Sequence, residues 1–303
     1  REKKKTVKED KIVKLFEKTM MKYPDFYSDQ IKRIVKNING FEIEDTEKEN
    51  IDYNVRDAIN IIRNFLNDLD PKMLNVFNNL ISKDAIVIER DLNKDESGMY
   101  FFDFTLSNKS SLNNLLISAG EEFHNIYVNS YNIESLLHML SHEVGHAIDA
   151  HFSNNYIVKE KIETETISQL IPRLLNDYLN KEYPRLDISS EENMSCYLVF
   201  SGLDEIDDYV NLFLYNDSSN IKKSKFKEDS EEFEYNLVYI YSYLLSDELY
   251  KDYLKSNSLN KIYKMIELSH SKHNINSILK ELDFNRQSIG TKSKILEIKK
   301  RIN

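Results

Sequence analysis

The chain has 303 residues, 41% hydrophobic and 30% charged, enough apolar material to bury a sizeable core in one or two domains. Six Gly, four Pro and no Trp, beside abundant Lys, Asn, Ile, Leu and Tyr, argue against a turn-rich strand sandwich and for long helices. A formal net charge of −10, with Lys and Glu intermixed and no basic stripe, excludes the electrostatic footprint of a nucleic-acid or anionic-membrane binder.

Residues 1–84 form a helical N-terminal region by pattern. Apolar residues recur at helical spacing through Ile12, Val13, Leu15, Phe16 and Met20, then Val55, Ala58, Ile59, Ile62, Phe65 and Leu66, then Met73, Leu74, Val76, Phe77 and Leu80. Pro24, Gly40 and the polar run 44–50 punctuate it, and Pro71 after Asp70 reads as proline at a helix start. Three short β-branched or aromatic segments follow, Ala85–Glu89, Met99–Phe104 and Asn125–Asn129, and are expected to form a small sheet. From Ile133 the pattern is helical over roughly 133–151, 160–181, 191–215, 230–255, 259–268, 274–283 and 291–302, with a polar loop expected at Asp217–Ser230. The fold class is therefore mainly α with a small β-sheet, an α+β arrangement. Residues 85–303 are expected to make one compact unit with 1–84.

The single cysteine, Cys196, lies in an apolar run and reads as a buried thiol; it cannot form an internal disulfide, so the compartment is reducing or the fold does not depend on oxidation. No apolar stretch approaches the ~18 residues of a membrane span. A cytoplasmic protein is expected. The start at Arg1 rather than Met leads to the expectation of a fragment or processed form. Oligomeric state is not written in the sequence.

The run His142-Glu143-Val144-Gly145-His146 carries the chemistry. Two histidines four positions apart on a helix lie one turn apart on nearly the same face, so both imidazoles reach one ion. The intervening Glu143 projects beside it, where a zinc peptidase needs a carboxylate to take a proton from metal-bound water and pass it to the leaving amine. Ile133, Leu136, Leu137, Leu140, Val144, Ala147 and Ile148 surround the motif with the apolar residues that a buried catalytic helix requires. Gly145 costs about 1 kcal/mol in a helix interior relative to Ala, so its presence implies close approach of another backbone or of substrate.

A catalytic zinc takes three protein ligands and keeps one position for water. The next helix offers Glu160, Glu163 and Glu165, and the chain from His146 to Glu165 is long enough for an antiparallel return. Glu165 lies nearer than Glu163 to the buried stripe of Ile162, Ile167, Leu170 and Ile171, and is chosen as the third ligand. Asp149 shares the face of His142 and His146 and is a candidate acceptor for an imidazole N–H. His138 precedes His142 by four positions as a decoy; His124, His151, His270 and His273 read as surface or packing residues.

Four stretches in order carry a resemblance to the thimet oligopeptidase/oligoendopeptidase F family of zinc peptidases, a gluzincin group, over roughly residues 85–303. Ile126-Tyr127-Val128-Asn129 followed by Leu140-Ser141-His142-Glu143-Val144-Gly145-His146 resembles the family's strand ending in Asn and its metal-binding helix. Glu165-Thr166-Ile167-Ser168 through Leu179 resembles its third-ligand helix, and Ser269-His270-Ser271-Lys272 through Asp283 its closing helices. Tyr239-Ile240-Tyr241-Ser242-Tyr243 is similar to its tyrosine-rich helix; this implies Tyr243 as oxyanion donor, with Tyr239 or Tyr235 second. The resemblance implies one Zn2+ ion, a peptide substrate and hydrolysis of oligopeptides. The chain departs from the family in a shorter stretch between His146 and Glu165, in having no histidine between His151 and His270, and in a shorter N-terminal part, which implies a reduced roof or a piece of something longer.

Gly145-His146-Ala147-Ile148-Asp149 also resembles the helix of lethal factor-like and Pro-Pro endopeptidase-like zincins, which act on protein substrates. Their third ligand comes later, and Glu191, Glu192, Glu205 or Asp207 would replace Glu165. A reading from another class is a catalytically inactive, zinc-bound peptide-binding protein that keeps the fold without turnover.

Overall fold

The structure is a computed structural model and describes residues 53–102, 124–153, 162–189, 226–269 and 275–284. The predicted helices before residue 53 and those at 191–215 and 291–302 lie outside these residues, as do Cys196, Glu160, His270, His273, Glu191, Glu192, Glu205 and Asp207. The elements in chain order are α1 (Val55–Leu69), α2 (Pro71–Ser82), β1 (Ile86–Glu89), β2 (Ser97–Phe102), β3 (His124–Asn129), α3 (Ile133–Ser153), α4 (Ile162–Glu182), α5 (Phe226–Ser256), α6 (Asn260–Ser269) and α7 (Ile275–Glu281). Helices with a small sheet is the fold class that composition and periodicity call for. The described residues fall into two compact units. One holds α1, α2, the sheet, α3 and α4 from Thr166 onward; the other holds the first turn of α4 and α5, α6 and α7.

In the first unit, local chemistry starts each helix. The Asn54 side chain accepts from the Arg56 N–H at 2.9 Å, and Asp70 accepts from the Lys72 N–H at 2.7 Å with Pro71 at the first helical position, where its missing N–H costs nothing. Asn132 does the same for α3, accepting from the Ser135 N–H at 2.8 Å. The apolar stripes predicted for α1 and α2 are buried through Ala58, Ile62, Phe65 and Leu66, and through Met73, Val76, Phe77 and Leu80, whereas Val55 is 40% exposed, Ile59 and Leu74 are half-buried, and Ile61, outside the predicted stripe, is buried. Each of the buried side chains larger than alanine contributes about 1.5–3 kcal/mol when fully removed from water. With few glycines available, α2 ends on Asp84 in the left-handed region (φ 50), where the Ala85 N–H reaches the Leu80 carbonyl at 3.0 Å.

The sheet order is β1-β3-β2, with β1 parallel and β2 antiparallel to β3. β2 begins at Ser97, two residues earlier than the sequence pattern marks, and pairs Ser97 with Asn129, Gly98 with Val128 and Tyr100 with Ile126. Asn129 is the reason for that early start. Fully buried, it accepts from the Asp91 N–H at 2.8 Å and donates from Nδ2 toward the carbonyls of Asp95 (3.0 Å), Asp91 (3.3 Å) and Lys94 (3.4 Å). The β1–β2 connection is thereby folded onto the end of β3, and the register of β2 is set.

In the second unit, α5 begins at Phe226, so residues 226–230 of the loop expected at Asp217–Ser230 are helical. The Lys and Glu that made this run look like a loop are themselves strong helix formers. Ser242 Oγ lies within hydrogen-bonding distance of the Val238 carbonyl (2.7 Å) and the Ile162 carbonyl (2.9 Å), which ties α5 to the first residue of α4. Among the described residues no helix is long and apolar enough to cross a membrane.

Candidate metal centre

Helix α3 is buried nearly all round: Leu136, Leu137, Leu140, Val144, Ala147 and Ile148 are fully enclosed, and Glu143, His146 and Asp149 are enclosed with them. Polar groups buried in this way cost free energy unless hydrogen-bonded, ion-paired or bound to a metal, so their concentration on one helix makes it the candidate for a functional element. His142 and His146 stand one turn apart, their ring centroids 5.0 Å apart and their planes 80° from parallel.

Gly145 brings the next helix in. A Cβ at this position would lie 2.6 Å from the Ser168 Cα, 3.1 Å from the Ile167 carbonyl oxygen and 3.2 Å from the Ser168 nitrogen, so α3 and α4 cross in backbone contact. Of the two causes the sequence left open for this glycine, a second backbone accounts for it. Glu165 sits one turn before that crossing, 8% exposed. One nitrogen each of His142 and His146 and a carboxylate oxygen of Glu165 lie within 4.8 Å of one another, forming a group that could hold a metal ion. No other group of three or more such side chains occurs among the described residues.

The fold of the chain matches solved structures. One is a protein from Bacillus anthracis str. Ames assigned as an oligoendopeptidase F, with TM-score 0.56 and 13% identity over 96% of this chain and 56% of that one. Another is PZ peptidase A, solved with an inhibitor, with TM-score 0.57 and 11% identity over 97% of this chain and 58% of that one. A second structure assigned as an oligoendopeptidase F gives TM-score 0.54 at 10% identity, covering 96% of this chain and 58% of that one. The fold is oligoendopeptidase F-like. The chain spans a little over half the length of these structures. No protein-family model and no curated protein sequence matches it.

The remaining sequence-predicted residues fall in different surroundings. Asp149 is fully buried on α3, one turn beyond His146. Glu163 is half-buried in the first turn of α4. His138 is buried on α3, and its carbonyl accepts from the Ser141 hydroxyl at 2.9 Å. On α5, in the other unit, Tyr243 is buried, Tyr239 is half-buried, and Tyr235 is 47% exposed with its ring centroid 4.6 Å from that of Tyr239.

Sequence reasoning passed over the face of β2. Gly98 and Tyr100, two apart, share the face that meets α3. The Tyr100 ring stacks on His146 (5.7 Å between centroids, planes 20° apart), and its hydroxyl shares a 2.7 Å hydrogen bond with Nδ1 of His124 on β3. The alternation of β2, with buried Tyr100 beside 58%-exposed Met99, was the available signal, and it needed the register to be interpreted.

His124 is buried, and this desolvation, followed by the fields of His151 and Lys83, pushes its pKa from 6.5 down to about 4. On acidification the unfolded chain therefore takes up the His124 proton before the folded chain does. Stability from this group is complete above pH 6.5 and is lost as pH falls toward 4, by on the order of 3 kcal/mol. Urea unfolding across that window should show the loss for the wild type and a flatter dependence for His124→Gln; parallel curves would contradict it.

Proposed function

We propose that the chain is a zinc-dependent metalloendopeptidase that hydrolyses peptide bonds of oligopeptides, with one zinc ion held by His142, His146 and Glu165. The observation that carries this reading is the convergence of those side chains within 4.8 Å, beside the buried Glu143, in a fold shared with peptidases. Two imidazoles and a carboxylate are a donor set that suits zinc and leaves a position for water. Zinc held there by His142, His146 and Glu165 would supply Lewis acidity, activating a water and polarising the scissile carbonyl.

The chain's own residues do the rest. Glu143 accepts the water's proton as the water attacks the peptide carbonyl, and then delivers it to the departing amine, so that C–O formation and C–N cleavage balance. Tyr243, with Tyr239 second, donates its hydroxyl to the oxyanion that develops on the carbonyl. Asp149 orients an imidazole by accepting its N–H.

Metal analysis tests the ligand set. Because losing a mere supporting partner of a metal ligand costs about 10–100-fold in affinity, Glu165→Ala should weaken zinc binding by about 100-fold or more. A Glu165→Ala chain that keeps zinc and peptidase activity would move the third ligand to Glu191, Glu192, Glu205 or Asp207 and favour the lethal factor-like reading.

A further inference from the structure

We infer that Gly98 is a positioning residue for Glu143: by lacking a side chain, it forms the seat in which the Glu143 carboxylate is held. The inference rests on Glu143 acting as the proton carrier proposed above. Glycine inside a strand weakens it and packs nothing, so its presence at the second position of β2 calls for a local cause. The cause is on α3. A Cβ built on Gly98 would lie 2.5 Å from Oε1 of Glu143 and 3.2 Å from both its Cδ and its Cγ. The carboxylate and the methylene next to it thus occupy the volume that any other residue at 98 would fill.

The strand is tied on both sides of Gly98. Asn129 clamps the connection that leads into β2 through Asp91, Lys94 and Asp95, and Ser97 pairs with Asn129 directly. The Tyr131 N–H donates to Glu96 Oε1 at 2.9 Å, immediately before the strand. On the other side of Gly98, Tyr100 is held by His124 and lies flat against His146. Gly98 is therefore pinned from both directions over a helix whose Glu143 is 6% exposed. A register slip by one residue would set the Met99 side chain in the same place.

With the strand clamped and the helix buried, the Glu143 side chain is the part that moves when a methyl group is added. The helix and its histidines stay. The effect belongs to proton transfer rather than to metal binding or folding, because a displacement of about 1 Å at a reacting group costs about 100-fold in rate.

The experiment is a double-mutant cycle on the full zinc-loaded chain with Gly98→Ala and Glu143→Asp. Gly98→Ala should lower kcat by about 100-fold, change KM by less than about threefold and leave zinc content unchanged. Glu143→Asp draws the carboxylate back by one methylene and vacates the seat. In the Glu143→Asp background, Gly98→Ala should therefore cost less than about fivefold. Equal losses in the two backgrounds, or a Gly98→Ala chain as fast as the wild type, overturn the assignment. If Gly98→Ala alone fails to fold while the double variant folds, the two positions are coupled as proposed; failure of both overturns it. A wild-type chain that cleaves no peptide overturns the peptidase reading instead. Crystal structures of the wild type and Gly98→Ala then decide the seat: a Glu143 carboxylate displaced by about 1 Å or more over an unmoved α3 supports it, and an unmoved carboxylate overturns it.

Discussion

The Glu143→Gln chain is expected to bind zinc as the wild type does and to cleave a mixed peptide library about 10²–10⁴-fold more slowly. Gln has the shape of Glu, so the group enclosed between α3 and Gly98 of β2 keeps its volume, and His142, His146 and Glu165 keep their positions. What the amide lacks is a site that accepts a proton from the attacking water and releases it to the amine. Chelation should abolish activity in the wild type through the other half of the machinery, and restored zinc should recover it. Measuring zinc content beside kcat separates the two. Cleavage at the wild-type rate by Glu143→Gln would end the proton-carrier assignment, while a zinc-bound wild type that cleaves nothing would favour the inactive peptide-binding reading.

Gly145→Ala is the second large effect, and its sign separates local from tertiary reasoning. On helix propensity alone the substitution stabilises by about 1 kcal/mol. Against that stands a methyl group 2.6 Å from the Cα of Ser168, an atom of the backbone of α4 that cannot rotate away. Around the crossing, Thr166, Ile167, Ser168, Leu170 and Ile171 are all buried, so α4 cannot shift without repacking its whole inner face. Overpacking of this kind costs about 1–3 kcal/mol, and rigid backbone on the opposing side puts this case at the upper end. The steric term wins, and a net loss of about 2 kcal/mol is expected. Glu165 rides on the same helix one turn away, so zinc affinity should fall as well, in contrast to Gly98→Ala. Denaturant unfolding of the metal-free chain and zinc titration check the two halves; a Gly145→Ala protein more stable than the wild type would show that α3 and α4 do not cross in contact.

What could be learned without the fold was whatever depends on neighbours along the chain. Helical spacing places His142 and His146 on one face and Glu143 beside them, because 3.6 residues per turn leaves no other arrangement once the segment is a helix. The same holds for the buried stripes of α1 and α2 and for Pro71 at a helix start. Glu165 was legible only in part: its place on the buried side of α4 follows from periodicity, but its nearness to the histidines depends on how closely two helices cross. The loop expected at 217–230 failed at its end because Lys and Glu serve a helix as well as a polar loop, and only hydrogen bonding along the backbone tells them apart.

Local periodicity was enough for the class of fold and for setting His142, Glu143 and His146 together on one buried helix. Tertiary structure alone decided why Gly145 and Gly98 are glycines, that Tyr100 and His124 stand behind His146, and that Asn129 folds the β1–β2 connection into place. These depend on the approach of segments far apart in the chain. The physical reason is that a missing side chain carries no pattern of its own; what occupies its place is known only when the second surface is present.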